Sequence, residues 1–509
     1  REDSGAQSSR QPFPSSGSAA YDSVHATPAK KMGANEFAEH EPADLDSCRQ
    51  RLVHGLEDRG KLVGIPRLLD ILGLYTLYTA YDKSIPSCVF DGIDDDEHVV
   101  DFKQKADSKK KPEAAYADTF KRVLDKLTTN ANNATVPVQY RKSPYMYMDY
   151  QNRAVPGSTL KPDLAFFQDD GHTPNIATAC ILLEAKTTMP LDRVFRDYLG
   201  QIASYALEIW KRQPTRTFAP ILLLLGCQLH LAVFTRNGYY KATIGQVMYQ
   251  HKEDVLKQSR IVGQALRQLW FLLTLPVDKL GLLNTATATF EYLRIDTSAC
   301  PATLMAVEYS AIMVTNSIEQ RMPIIGRCAH LFRVVYGTKP AVLKLAWTRK
   351  NRLPEGAVYE VLSTKDGDGN PPVSGIPQIY ASGILAKDVD GYRLEFLIME
   401  DCGEPIVGHF AKLRETKIPA DKFAQAVKCC VESVMQTLVE ARHVSVLHRD
   451  ISAGNIAIKN GRAYVIDWGY AKLLCPPNEP LDTTTAKRLK EGGSYKDGFA
   501  KRWEMDWDE

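Results

Sequence analysis

Residues 446–472 read VLHRDISAGNIAIKNGRAYVIDWGYAK, and everything around this stretch takes its meaning from it. It opens with His448-Arg449-Asp450, places Asn455 after a short loop, and runs an apolar segment into Asp467-Trp468-Gly469. Phosphoryl transfer needs these side chains in this order. Asp450 would orient and deprotonate an attacking hydroxyl. Asn455 and Asp467 would hold Mg²⁺, which bridges phosphates and neutralises charge that develops during transfer. Lys459-Asn460-Gly461-Arg462 has the composition of a tight hairpin turn. That hairpin would put both metal ligands on one side of a cleft. Either motif alone is compatible with a chance loop; the two together, with their spacing and intervening strand, are not well explained that way.

Upstream segments supply the remaining parts. Residues 341–346, AVLKLA, resemble the strand whose lysine meets the α/β-phosphates, which makes Lys344 the candidate. Glu360, in VYEVL, is the first choice for the helix glutamate that fixes this lysine, with Glu355 as a rival. Residues 394–403, LEFLIMEDCG, read as the strand and hinge that meet adenine. Met399 would guard that pocket, and Glu400 to Cys402 would offer backbone polar groups. The phosphate-covering loop is expected at residues 325–334, IGRCAHLFRV, which keep only Gly326 of a G-x-G-x-x-G pattern. ATP and Mg²⁺ are the expected cofactors. A bilobal kinase-like domain is expected, with the N-lobe and hinge at 324–403 and the C-lobe at 404–509. After Gly469 only 40 residues remain and no A-P-E motif occurs, so a shortened C-lobe is expected, with Thr483 to Thr485 as a candidate activation segment or a plain polar tail.

HRDISAGNI followed by VIDWGYA resembles the fungal-type protein kinase family, whose catalytic loop reads HRDIS with a glycine before the asparagine. The resemblance implies that Ser452 stands where many kinases place a lysine against the γ-phosphate. It extends upstream through an E-x-K strand, a helix with Gln and Tyr, and Gln213 and Arg216 before an apolar hairpin ending FTRNGYY. It covers roughly residues 161–468 and implies transfer of the ATP γ-phosphate to a protein Ser/Thr hydroxyl.

A second constellation lies in the upstream part. Asp163, in KPD, precedes Glu184-Ala185-Lys186 at the end of an apolar strand, and Gln201 and Tyr205 follow on a helix. This is similar to the PD-(D/E)-x-K nuclease pattern with the Q-x-x-x-Y helix of its RecB-like branch. Asp163 and Glu184 on adjacent strands can ligate one divalent ion, Mg²⁺ or Mn²⁺. Strand alternation puts Lys186 on the face of Glu184, and Gln201 and Tyr205 share a helical face. Arg193, Arg196, Lys211 and Arg212 could contact the phosphates of DNA or RNA. No obvious acidic residue is seen on the helix before the first strand, where many such enzymes carry one. Acidic and basic residues at a strand end are also common without chemistry. Fusion of such a fold to a kinase resembles Crinkler-type effectors that enter host cells, although no Crinkler header is visible.

The rest of the 509 residues frames these two regions. Length alone requires two or three domains. The composition, 44% hydrophobic and 24% charged, is ordinary, and a net charge of +2 excludes a globally basic nucleic-acid coat. Ten dispersed cysteines without a C-x-x-C pair argue against structural zinc and for reduced intracellular thiols. The longest apolar run, PILLLLGCQLHLAVF from Pro220, is too short for a membrane span and reads as two strands around Gly226. The chain opens at Arg1, as expected of a fragment or processed product. Residues 1–46 read as a disordered leader and 47–114 as a helical region with a charged loop. That loop is either solvated, a nuclear-import signal or a phosphate contact. Residues 115–275 form the nuclease-like α/β domain with a helical extension. Its helix is expected at 115–127, broken by the asparagines at 130–133. Residues 276–323 are a connector. The fold class is therefore multidomain α+β, and three functions fit it: a kinase with an accessory nuclease-fold domain, a nuclease with a regulatory nucleotide-sensing module, or a non-catalytic binding effector.

Overall fold

The computed structural model describes most of residues 59–474, with Arg49, Val53 and Leu56 before them; residues 91–98, 101–111, 152, 170–172, 188–190, 283–285, 289–291, 296–311, 319–327 and 365–372 fall outside the description. The leader, the charged loop, Gly326 and Thr483 to Thr485 therefore lie outside the described residues. The described chain divides into two compact units: a smaller one of residues 373–376 and 402–473, and a larger one holding the rest.

The larger unit contains two seven-stranded sheets. The first is built from β1 (Gly60–Leu62), β2 (Tyr145–Asp149), β3 (Leu164–Gln168), β4 (Ala179–Lys186), β5 (Ala219–Leu225), β6 (Gln228–Thr235) and β7 (Gly238–Gln246), in the order β1-β7-β6-β5-β4-β3-β2. Its helices are α1 (Ile65–Ile71), α2 (Tyr75–Ser84), α3 (Pro112–Asn133), α4 (Leu191–Arg212) and α5 (Val255–Thr274). β5 is buried at every position because apolar clusters cover the sheet on both faces. α4 carries its apolar stripe at Ile202, Tyr205, Ala206 and Ile209, the spacing of one helical face, and packs it into one of these clusters. β4 and β5 run parallel, joined by α4, while β5 and β6 turn back through Gly226 at φ +59°. The expected strand pair around Gly226 is present. Three strands exceed the expectation, β1, β2 and β7, and α3 runs on through the asparagines. Asn130 donates its side-chain amide to the Val89 carbonyl at 3.1 Å, so a tertiary hydrogen bond offsets its weak helix propensity.

The second sheet comprises β8 (Ala286–Ala288), β9 (Tyr292–Ile295), β10 (Ile312–Ile318), β11 (Ala329–Tyr336), β12 (Lys339–Arg349), β13 (Ile379–Val389) and β14 (Tyr392–Glu400), in the order β13-β14-β12-β11-β10-β9-β8. All its pairings are antiparallel. The expected connector at 276–323 thus contributes three strands to this sheet. These segments lack clear period-two alternation, so turn composition concealed them. α6 (Glu355–Ser363) follows β12 and packs beside β13. A sheet-rich kinase-like region fits this architecture.

The two sheets meet inside this unit through buried polar contacts. The Arg236 guanidinium sits 4.0 Å from the Trp210 ring centroid and 5.4 Å from that of Trp347. Trp347 donates its indole N–H to the Pro214 carbonyl at 3.4 Å, and Asp390 accepts from Thr235 at 2.5 Å and Tyr240 at 2.9 Å.

The smaller unit holds β15 (Glu404–Pro405), α7 (Ile406–Glu415), α8 (Ala420–His443), β16 (Val446–Leu447), β17 (Ile456–Lys459), β18 (Arg462–Val465) and β19 (Lys472–Leu473). β17 and β18 form the expected hairpin, with Asn460 at φ +52° and Gly461 at φ +77°, the left-handed pair of a type I′ turn. Gly403 has φ +85°, and a Cβ there would lie 2.3 Å from the Ile458 carbonyl, so only glycine fits.

Candidate functional site

Three groups of polar side chains carry the residues singled out by sequence. In the smaller unit the catalytic-loop residues form a connected network. His448 donates its Nε2 hydrogen to the Ile466 carbonyl at 2.9 Å, which leaves Nδ1 to accept from the Asp450 backbone N–H at 3.3 Å. The Trp468 ring meets the His448 ring edge to face at 4.5 Å and is itself fully buried. Asn455 is buried and donates its side-chain amide to the Asp450 carbonyl at 2.8 Å and to Asp450 Oδ2 at 3.2 Å. Its N–H donors are thereby committed to Asp450, and its amide oxygen faces the other way.

Arg449 and Asp467 are non-glycine residues held at φ +64° and +61°. Such backbone costs about 1 kcal/mol each and persists where surrounding structure holds it. Arg449 donates to the Tyr470 carbonyl at 2.8 Å. The Ser452 hydroxyl is buried with no hydrogen-bond partner among the described residues. Asn455 and Asp467 supply hard oxygen donors, the chemistry that suits Mg²⁺. Asp450, Asn455, His448 and the Asp467-Trp468-Gly469 segment thus stand in one loop system.

In the larger unit, Lys344 on β12 pairs with Glu355 at 2.8 and 3.0 Å, and both side chains are 4% exposed. This corrects the assignment of Glu360. Glu355 is the first residue of α6, whereas Glu360 lies about 140° further round the helix, is exposed, and uses its carbonyl for Thr364. Met399 is buried on β14, opposite Val342 and Ile379. Glu400 donates its backbone N–H to the Gln378 carbonyl at 2.8 Å. Cys402 belongs to the smaller unit, where it is buried against Ala457 and Tyr464.

The third group, also in the larger unit, gathers Asp163, Glu184, Lys186, Gln201 and Tyr205. Lys186 bonds Glu184 Oε1, which also accepts from Gln201 at 2.7 Å, while Tyr205 donates to Glu184 Oε2 at 2.5 Å. Asp163 Oδ2 accepts from the Ala185 N–H at 2.7 Å. The β3–β4 pairing and the 201/205 helical face therefore bring these residues together as the spacing requires. Burial, and then the Glu184 charge, push the Asp163 carboxyl up to about 7. Burial opposes the charge on Lys186, but Glu184 and Asp163 outweigh it and raise its pKa.

One residue escaped the sequence reading. Glu113, in the first turn of α3, acts electrostatically on both Asp163 and Lys186. It lies on the helix before β2 of this sheet, where the sequence reading saw no acidic residue. The helix was expected to start only at 115, after a lysine-rich run, which hid it.

Tested as a cation site, this group is incomplete: Glu184 has both oxygens engaged, and among the described residues no group of three or more His, Cys, Asp and Glu is gathered to hold a metal. Lys211 and Arg212 are both shared with Glu208, at 3.4 and 3.7 Å, and the side chains of Arg193 and Arg196 lie outside the described residues. Gln213 and Arg216 are structural. Gln213 bonds the Ile176 and Ala179 carbonyls and accepts from Arg216, which also reaches the Cys180 and Phe218 carbonyls. Six of the described cysteines, among them Cys429 and Cys430, are free thiols, and among the described residues no helix is long and apolar enough to cross a membrane.

No curated protein matches the chain. The family described as fungal protein kinase matches residues 161–392, a span that holds both the Asp163–Glu184 group and the Lys344–Glu355 pair and stops before the catalytic loop. Over that span, the chain is similar to the fungal-type protein kinases, and the match supports a kinase-like function.

Proposed function

We propose that the protein is an ATP·Mg²⁺-dependent kinase that transfers the γ-phosphate to a Ser or Thr hydroxyl of a protein. The observation that carries this reading is the buried Lys344–Glu355 pair. Two charges taken out of water rarely repay their desolvation in stability, so an ion pair this deep is better explained by chemistry than by folding. Lys344 binds and orients the α/β-phosphates, with Glu355 fixing its ammonium. Asp450 accepts the proton of the attacking hydroxyl, and its carboxylate is aimed by Asn455. Asn455 and Asp467 would hold Mg²⁺, which when bound neutralises charge on the phosphates. Ser452, its hydroxyl buried and without a partner among the described residues, is the hydroxyl suited to the γ-phosphate. Melting the protein with saturating ATP and Mg²⁺ tests the binding half. A rise in Tm that is lost in Asp467→Asn supports the reading, and no rise in the wild type removes it.

A second reading is favoured by the Asp163–Glu184 group: cleavage of DNA or RNA with Mg²⁺ or Mn²⁺. Two adjacent carboxylates, one held partly protonated near neutrality, are an arrangement that a divalent cation would relieve. Plasmid DNA and RNA incubated with either ion decide it. Cleavage that disappears in Lys186→Ala supports this reading, whereas cleavage that survives the change, or never occurs, rules it out.

A further inference from the structure

Glu355 reaches Lys344 from the first position of a nine-residue helix, and something must hold that helix end in place. Its N-cap is Pro354, which offers no side-chain hydrogen bond to the open backbone N–H groups. The partner comes instead from the sheet. Glu395 Oε2, on β14, accepts the backbone N–H of Glu355 itself at 3.2 Å. The other oxygen, Oε1, accepts from the Thr348 hydroxyl at 2.6 Å and from the Arg393 guanidinium. Arg393 then donates to the Lys350 carbonyl at 3.2 Å and the Arg352 carbonyl at 2.5 Å, inside the loop that joins β12 to α6. Thr348, Arg393 and Glu395 are all buried, so water competes poorly for these bonds. Thr348 faces Arg393 across the β12–β14 ladder, which fixes their distance by register.

We propose that Glu395 is a positioning residue that bolts the start of α6 to β14. It holds Glu355 on Lys344, so this lobe is locked in its paired arrangement without an activating event. The inference rests on the kinase reading for its purpose, but not for its geometry. The chemistry of a carboxylate is essential to it. Glu395 accepts on both oxygens at once, and glutamine has only one acceptor. In Glu395→Gln an NH₂ group must face either the Glu355 N–H or the Thr348 and Arg393 donors.

The test reads the accessibility of Lys344 rather than catalysis. The full chain is treated with N-hydroxysulfosuccinimide acetate, and the acetylation rate of each lysine is followed by mass spectrometry. Lys344 in Glu395→Gln should be acetylated about tenfold faster than in the wild type, the factor expected from losing a charge-assisted buried bond. Thr348→Val, which removes one donor and keeps the shape, should move Lys344 in the same direction by less. Lys186, half-buried beside Glu184 in the same unit, is the control and should keep its wild-type rate. An unchanged Lys344 rate in both variants overturns the proposal. So does a parallel rise at Lys186, which would mean general loosening. In labelled-ATP assays Glu395→Gln should lower kcat more than it raises the KM for ATP. A wild type that transfers no phosphate would defeat the kinase reading, while the acetylation rates would still decide the bolt.

Discussion

The two charged groups of the larger unit solve opposite electrostatic problems. At Lys344–Glu355 the charges balance, both side chains are 4% exposed, and a buried network from β14 holds the helix end. At Asp163–Glu184 two carboxylates and the nearby Glu113 outnumber Lys186, and burial together with the Glu184 charge pushes Asp163 up to about 7. The first group is finished without any addition. The second carries excess negative charge that a proton on Asp163 relieves. On the proposed kinase reading, a closed pair suits a part that must be in place before ATP arrives.

The largest expected effect comes from opening the balanced pair. Lys344→Met should destabilise the protein by about 3 kcal/mol, because Glu355 is left as a buried, uncompensated charge. Denaturant melts measure this, and a change below about 1 kcal/mol would mean that the pair is less buried than described.

The unbalanced group should respond with the opposite sign. Asp163 titrates near 7 in the folded protein against 3.8 in an ordinary setting. On raising the pH through that window, the unfolded chain loses its proton first, so stability falls. The penalty is complete above about 7 and absent below about 3.8. Asp163→Asn should therefore be more stable than the wild type at about pH 8, by about 1–2 kcal/mol after allowance for partial exposure. The gain should vanish near pH 3.5, and a gain independent of pH would contradict the electrostatic cause. On the nuclease reading alone, added Mn²⁺ should stabilise the wild type at pH 8 more than this variant. The smallest effect is expected at Glu360→Gln, within about 0.5 kcal/mol and without loss of ATP binding, since Glu360 is exposed.

Much of this arrangement was legible in the sequence where chemistry and spacing coincide. The strand Ala179–Lys186 carries Glu184 and Lys186 on one face, and α4 presents Gln201 and Tyr205 on one side, so period-two and 3.6-residue patterns sufficed. The Asn-Gly hairpin at 460–461 was equally plain. What failed was anything set by helix phase or tertiary contact. The choice between Glu355 and Glu360 depends on where α6 begins, which propensity does not fix within a turn. Glu113 was missed for the same reason at the start of α3. Asn130 stays helical because of Val89, a residue remote in sequence. Glu395 looked like an ordinary strand position, and only the fold shows that it reaches the first N–H of α6.

Phosphate transfer itself tests the central claim most directly. Purified full chain is incubated with γ-labelled ATP, Mg²⁺ and a mixture of protein substrates, beside Asp450→Asn. The account predicts label on serine or threonine in the wild type and a loss of about 10²-fold or more in the variant. Equal labelling by both proteins would contradict it.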